Sequence, residues 1–167
     1  PSVSASLKTA NIGLEIAKVS RILLAVNILM GTALCLCSTM FLPIVFGRDF
    51  SASINIIYQL MPGIVLFSVT NILAAYFAGT GLTHINLISS ITGLFITISL
   101  DLSLIPIFKS QGAAIASTIS YSVTTAVTIY LFTRETKIKS SKVLFLSRQD
   151  IKEIREKISS YTCRFTK

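Results

Sequence analysis

The chain has 167 residues, of which 52% are hydrophobic and 13% are charged, and its formal net charge is +8. Its mean hydropathy is +0.75. Because soluble domains carry about 25% charged residues, the composition excludes an ordinary soluble protein and predicts an all-α integral membrane protein. Ten of the fifteen Lys and Arg follow Phe132. A basic tail beside a membrane indicates cytoplasmic retention and contact with membrane lipids, and we expect no nucleic-acid partner.

Residue types that carry catalysis or bind metals are sparse. Three cysteines, an odd number, argue against a disulfide scaffold, and Cys35 and Cys37 lie within an apolar run. The single histidine, His84, has no second ligand at metal-binding spacing. The sequence contains no pattern typical of a hydrolase triad or a phosphate-binding loop. We therefore expect no enzyme activity, no metal and no cofactor.

The first segment, residues 1–21, mixes polar and apolar positions and carries a net charge of +2 from Lys8, Lys18, Arg21 and Glu15. This pattern favours a cytoplasmic or interfacial leader helix that leads into a membrane span. The sequence begins at Pro1 rather than at an initiator methionine. We expect the chain to be a piece of a longer protein.

Four apolar stretches follow, each long enough at about 1.5 Å per residue to cross a hydrocarbon core of about 30 Å. They predict transmembrane helices at about 22–46, 54–79, 85–108 and 113–133, which together form the membrane part, 22–133. Pro62 should kink the second helix. The Lys/Arg bias places both termini in the cytoplasm, which an even number of spans allows. The loop at Arg48 and the turn at Lys109 then face outward.

The last segment, residues 134–167, is a cytoplasmic basic tail. Its first part, RETKIKSSK, reads as a solvated linker. Ser147 and Asp150 resemble a capping box, and Ile151, Ile154 and Ile158 recur at helical spacing. These features favour a short basic amphipathic helix on the inner leaflet. A chain end without any role fits them equally well.

The fourth span carries small residues at intervals of four. Such residues allow helix backbones to approach closely, so we interpret the stripe as a helix-packing face. Its members are Ala116, Ser120, Thr124 and Thr128. Tyr121 lies beside the stripe, where it provides either a packing ring or a platform for a sugar.

Polar side chains within the spans are candidates for a substrate cavity. Amides such as Asn27, Gln59 and Asn71 form either interhelical hydrogen bonds or ligand contacts. Asp101 is the acid of the third span, and an intramembrane acid either lines a cavity or pairs with a base, here Lys109 or Arg48. The candidate cavity residues are Asp101, Gln59, Asn71 and Tyr121.

Several short motifs occur in a characteristic order. They are Pro1-Ser2-Val3-Ser4, Phe46-Gly47-Arg48-Asp49-Phe50, Thr80-Gly81 followed by Asn86, Leu104-Ile105-Pro106, and Gly112-Ala113-Ala114-Ile115-Ala116-Ser117. Through these motifs, residues 1–135 resemble the C-terminal part of polysaccharide biosynthesis flippases, the O-antigen and exopolysaccharide exporters of the multidrug/oligosaccharidyl-lipid/polysaccharide superfamily. Two positions depart from the family pattern: Asp101 stands where an asparagine is frequent, and Lys109 replaces a usual glycine.

The resemblance implies spans nine to twelve of a twelve-helix transporter built from two six-helix lobes, in the bacterial inner membrane. Such proteins move undecaprenyl-diphosphate-linked oligosaccharides from the inner to the outer leaflet by alternating access. The implied partners are an N-terminal lobe and, further, glycan polymerases or glycosyltransferases.

Two other functions stay open from the sequence. The first is a multidrug exporter of the same superfamily, for which Asp101 is the acid that would meet a cationic drug. The second is a non-transporting membrane module that recruits glycan-assembly enzymes through its basic tail.

Overall fold

The computed structural model describes residues 2–47, 51–138 and 140–144. Within these ranges the chain is helical and contains no strand. The helices are α1 (Ser2–Phe46), α2 (Ser51–Gly79), α3 (Thr83–Phe108), α4 (Ser110–Thr136) and the single turn α5 (Ser141–Leu144). The predicted all-α class is therefore confirmed.

Four of these helices are long and apolar enough to cross a membrane. The qualifying segments are Ile12–Phe46, Ser53–Gly79, Thr83–Phe108 and Ser110–Thr136. Each predicted span lies wholly within one of them. The fold is thus compatible with a multi-pass membrane protein. The side chains that are widely exposed on α1 and α3 are mainly large and apolar, as expected for helices in contact with lipid.

Helix α1 differs from the expectation for the leader. It runs without a break from Ser2 to Phe46, so the backbone shows no boundary at residue 21. The helix continues because Gly13 is the one helix-weakening residue between Ser2 and Arg21, and an isolated glycine costs only about 1 kcal/mol. At about 1.5 Å per residue the 45-residue helix is about 67 Å long. It exceeds the thickness of a hydrocarbon core by roughly twofold.

Helix α4 is central to the array. It packs extensively against both α2 and α3, whereas α1 packs mainly against α2. Direct contact between α2 and α3 is smaller. The helices therefore follow the order α1, α2, α4, α3 across the array, and α4 forms the floor between α2 and α3.

The connection from α2 to α3 is a tight glycine-dependent turn. The Leu82 amide donates to the Phe77 carbonyl at 2.8 Å, and the Gly81 amide donates to the Ala78 carbonyl at 3.3 Å. This pair of bonds is the Schellman motif, which requires a left-handed residue at Gly81, where φ is +78°. The predicted end of the second span, residue 79, coincides with the end of α2.

The connection from α3 to α4 is shorter still. Lys109 alone separates the two helices, and it adopts φ 52° and ψ −129°. Gly112 then lies against the Leu104 carbonyl, with no room for a Cβ atom. The hairpin therefore requires a glycine at position 112. At position 109 the backbone conformation also favours glycine, so the Lys109 side chain is unfavourable there.

The apolar core lies at the end of the array that holds the α2–α3 turn. Phe77 and Phe132, both fully buried, pack edge-to-face with Tyr76. Two tail residues, Ile138 and Val143, also belong to this core and are 8% and 0% exposed. The expectation of a solvated linker is therefore wrong at Ile138, because its side chain folds back onto the helices.

The returning tail meets the start of α1. A Cβ atom at Gly13 would lie 3.0 Å from the Cδ1 atom of Ile138, and Ala17 is buried in the same core as Val143. We call the contact of Gly13 and Ala17 with Ile138 and Val143 the end clasp. It places both ends of the described chain at one end of the helix array; their side of the membrane stays a prediction. The predicted amphipathic helix after Ser147 lies outside the described residues.

Candidate substrate groove

A polar groove lies between α2 and α3, with α4 as its floor. Its volume is about 280 Å³. We call it the substrate groove, and its lining residues are Phe67, Thr70, Asn71, Ala74, Asn86, Ser89, Ser90, Ser120, Tyr121 and Thr124. Eight of the ten lining residues carry a hydroxyl or amide group, in contrast to the apolar surface of the surrounding helices, while apolar atoms form the larger part of the exposed lining.

The floor meets α3 through small residues. The Ser120 hydroxyl donates to the Gly93 carbonyl at 2.9 Å and also hydrogen-bonds to the Thr97 hydroxyl. Gly93 lies directly against the Thr124 side chain. A residue larger than glycine here would separate the helices, because its Cβ atom would overlap the Thr124 Oγ1 atom.

The floor meets α2 through a second set of contacts. The hydroxyl groups of Thr70 and Thr125 are hydrogen-bonded at 2.9 Å and are buried. Nearer the other end of α2, the Thr118 hydroxyl donates to the Gln59 carbonyl at 2.6 Å, one turn before Pro62. These interhelical bonds hold α2 beside α4 in a medium that offers few competing partners.

The α3 wall carries the polar residues Asn86, Ser89 and Ser90. The Asn86 amide donates across the groove to the Ala74 carbonyl at 2.9 Å. Ser89 is 3% exposed, and its Oγ atom has no hydrogen-bond partner among the described residues. These side chains are not among the predicted cavity residues. The available signal was a polar face at Asn86, Ser89, Ser90 and Gly93, which follows the i, i+3, i+4, i+7 pattern within an apolar span.

Two of the four candidate cavity residues line the substrate groove. Asn71 is exposed on α2 and Tyr121 is half-buried on α4. The Tyr121 ring stacks on Phe67, with ring centroids 4.7 Å apart and an interplanar angle of 28°. One face of the ring is thus covered by Phe67, so that Tyr121 contributes to helix packing as well as to the groove wall.

The other two candidates, Gln59 and Asp101, do not line the groove. Each has a buried oxygen atom without a hydrogen-bond partner in the described ranges, Oε1 of Gln59 and Oδ1 of Asp101. Arg48, one of the two bases considered for Asp101, lies outside the described residues. Gln59 and Asp101 therefore do not share a site with Asn71 and Tyr121.

The predicted packing stripe on α4 is buried throughout. Ala116, Ser120, Thr124 and Thr128 are at most 6% exposed. Ser120 and Thr124 contact Gly93 of α3, and they also line the groove. Asn27, by contrast, donates to the Leu23 carbonyl of its own helix at 2.9 Å.

A larger groove of about 780 Å³ separates α1 from α2, and its lining is almost entirely apolar. The helices touch at Gly31, where a Cβ atom would lie 3.2 Å from the Met61 sulfur. The Tyr58 hydroxyl reaches the Cys35 carbonyl at 3.4 Å, close to the limit for a hydrogen bond. This groove contains few groups that recognise a polar ligand.

Comparison of the chain with protein-family models, with curated proteins and with solved structures finds no match. The described side chains also contain no cluster of three or more His, Cys, Asp or Glu residues that could hold a metal ion. The polar residues of the substrate groove are therefore the basis of the proposed function.

Proposed function

We propose that this chain is the C-terminal part of a transporter that flips a lipid-linked oligosaccharide, an O-antigen or exopolysaccharide repeat unit, across the bacterial inner membrane by alternating access. The observation that supports the proposal is the polar lining of the substrate groove within an array of apolar helices. Polar groups in hydrocarbon are costly unless they meet a partner. A sugar supplies many such partners through its hydroxyl groups.

The construction of the groove from three helices also supports transport. Transporters bind their substrates between helices, in a cavity that two halves of the protein enclose. The groove has walls from α2 and α3 and a floor from α4. Under this proposal the N-terminal lobe provides the opposite wall, as the family resemblance implies.

The groove lining favours a sugar over a cationic drug. Recognition of a cation in a membrane cavity requires an acid or an aromatic cage. The lining residues include no acid, and Asp101 lies outside the groove. The two aromatic rings of the lining, Phe67 and Tyr121, stack on each other and do not form a cage. The recruiting role would depend on the basic tail, most of which lies outside the described residues.

The test measures surface polysaccharide in a bacterial strain that lacks its own flippase. The chain joined to an N-terminal lobe should restore export, whereas the chain alone should not. Asn71→Leu should reduce export at least tenfold, because it replaces the amide with an apolar group. Ser103→Ala is the matched control, since Ser103 is exposed on α3 and donates to the Ser99 carbonyl of its own helix at 2.9 Å.

Immunoblots of the membrane fraction establish that each variant is inserted in equal amount. Accumulation of the lipid-linked precursor on the inner leaflet should accompany the loss of export in the Asn71→Leu strain. Drug resistance conferred by the complete transporter, with no change in surface polysaccharide, would show instead that it exports drugs.

A further inference from the structure

No basic side chain lines the substrate groove. Proteins hold phosphates with Arg and Lys side chains or with the free amides of helix N-termini. All the side chains that line this groove are of uncharged types, namely hydroxyls, amides, aromatic rings and one alanine. An anionic diphosphate placed there would lose its hydration without gaining a charged partner.

Ser89 provides a hydroxyl that the protein itself leaves unused. Its Oγ atom is buried and has no partner in the described part of the chain. Neighbouring hydroxyls on α3 behave differently: Thr92 donates to the Ile88 carbonyl at 2.8 Å, and Ser99 donates to the Phe95 carbonyl at 2.8 Å. A buried hydroxyl without a partner is unfavourable, and Ser89 lines the groove. A ligand in the groove can supply the partner that is missing.

We infer that the substrate groove binds one uncharged sugar ring of the lipid-linked oligosaccharide, and that Ser89 and Asn71 hydrogen-bond to its hydroxyl groups while the diphosphate binds elsewhere. This inference rests on the proposed function. The volume of about 280 Å³ lies just below the range of about 300–1,000 Å³ typical of sites for drug-sized ligands. It therefore suits a single ring rather than a whole repeat unit. Rotation about the Ser89 χ1 angle, between staggered rotamers, directs the hydroxyl toward the ring.

The test is a competition between two lipids for the full purified chain in detergent micelles, measured by native mass spectrometry. The lipids are monoglucosyl diacylglycerol and diacylglycerol with identical acyl chains, so that only the sugar differs and the basic tail attracts neither headgroup. The chain should retain the glucosyl lipid at least tenfold more than diacylglycerol. Ser89→Ala should weaken this retention roughly three- to tenfold, the effect of one lost neutral hydrogen bond.

Ser89→Ala is a clean variant because the hydroxyl has no partner to lose, so the variant should unfold at a temperature equal to or higher than that of the wild type. Asn71→Leu is a second variant at an exposed position and should also weaken retention. Ser103→Ala should leave retention unchanged. Phosphatidic acid, measured separately, should be retained equally by the wild type and by both groove variants. Equal retention of the two neutral lipids, weaker retention of phosphatidic acid in the groove variants, or full retention of the glucosyl lipid by both Ser89→Ala and Asn71→Leu would overturn the inference.

The proposed function fails separately. If the chain selects the glucosyl lipid through Ser89 but Asn71→Leu and Ser89→Ala leave polysaccharide export intact, the groove binds sugar and the transport proposal is wrong. If instead export falls in these variants without any preference for the glucosyl lipid, the transport proposal stands and the neutral-sugar assignment is wrong.

Discussion

Gly63 lies against the backbone of Thr118, so closely that a Cβ atom added at Gly63 would be 2.7 Å from the Thr118 Cα atom. Real Cβ atoms do not approach a backbone atom at this distance. The contact follows Pro62 and joins α2 to the central helix α4. It therefore controls how far α2 stands from the floor of the substrate groove.

Gly63→Ala should lower the free energy of unfolding by about 1–3 kcal/mol, because the added methyl group overlaps the Thr118 backbone in a tight contact between α2 and α4. Unfolding in mixed micelles of mild and denaturing detergent provides the measurement. Gly79→Ala is the control, because Gly79 is helical and a methyl group added there would have nothing within 4 Å of it. An equal loss in both variants would refute the close-contact explanation.

Gly93 and Thr124 should be energetically coupled. Gly93→Ala places a methyl group against the Thr124 Oγ1 atom and should destabilise the chain by about 1–3 kcal/mol. In a Thr124→Ala background the obstructing hydroxyl is absent, so the same change should cost much less. A double-mutant cycle measures the coupling, which we expect to exceed about 0.5 kcal/mol. Strict additivity would mean that the two residues do not limit the approach of α3 to α4.

Lys109→Gly should stabilise the chain by roughly 1 kcal/mol. Lys109 has φ 52° and ψ −129°, a backbone conformation that a side chain disfavours and glycine adopts freely. Lys109→Ala serves as the comparison, because it removes the charge but keeps the Cβ atom and should bring no such gain. Thermal unfolding of both variants decides between relief of backbone strain and an effect of charge.

The cytoplasmic location of both termini can be tested by cysteine labelling in intact cells. In a background without Cys35, Cys37 and Cys163, we expect Lys109→Cys to react with a membrane-impermeant maleimide from outside. His84→Cys should react only after permeabilisation, because the Lys/Arg bias places its loop in the cytoplasm. The opposite pattern would invert the orientation of all four helices.

The long helices could be predicted from sequence because an apolar run of more than 18 residues has few alternatives to a membrane helix. Helix α3 begins at Thr83 and ends at Phe108, within two residues of the prediction. The end of the leader was harder to place. Polar residues between Ser2 and Arg21 changed the composition, but no proline or glycine pair stopped the helix there.

The tail and the groove required tertiary information. Ile138 lies among basic and polar residues, and only its contact with α1 reveals that it is buried. Asn71 and Tyr121 are predicted as cavity residues because amides and aromatic rings are conspicuous in apolar spans. Ser89 is not predicted, since a serine in a helix ordinarily hydrogen-bonds to its own backbone. Its missing partner became visible only when the surroundings of the hydroxyl were known.

The end clasp gives biosynthesis a definite finishing step. Gly13 is synthesised before α2, α3 and α4, and Val143 is synthesised after all four helices. Until then the face of α1 at Gly13 and Ala17 lacks its contacts with Ile138 and Val143. A nascent chain that ends at Thr136 already has one side chain that lies against Gly13, and the next seven residues add Ile138 and Val143.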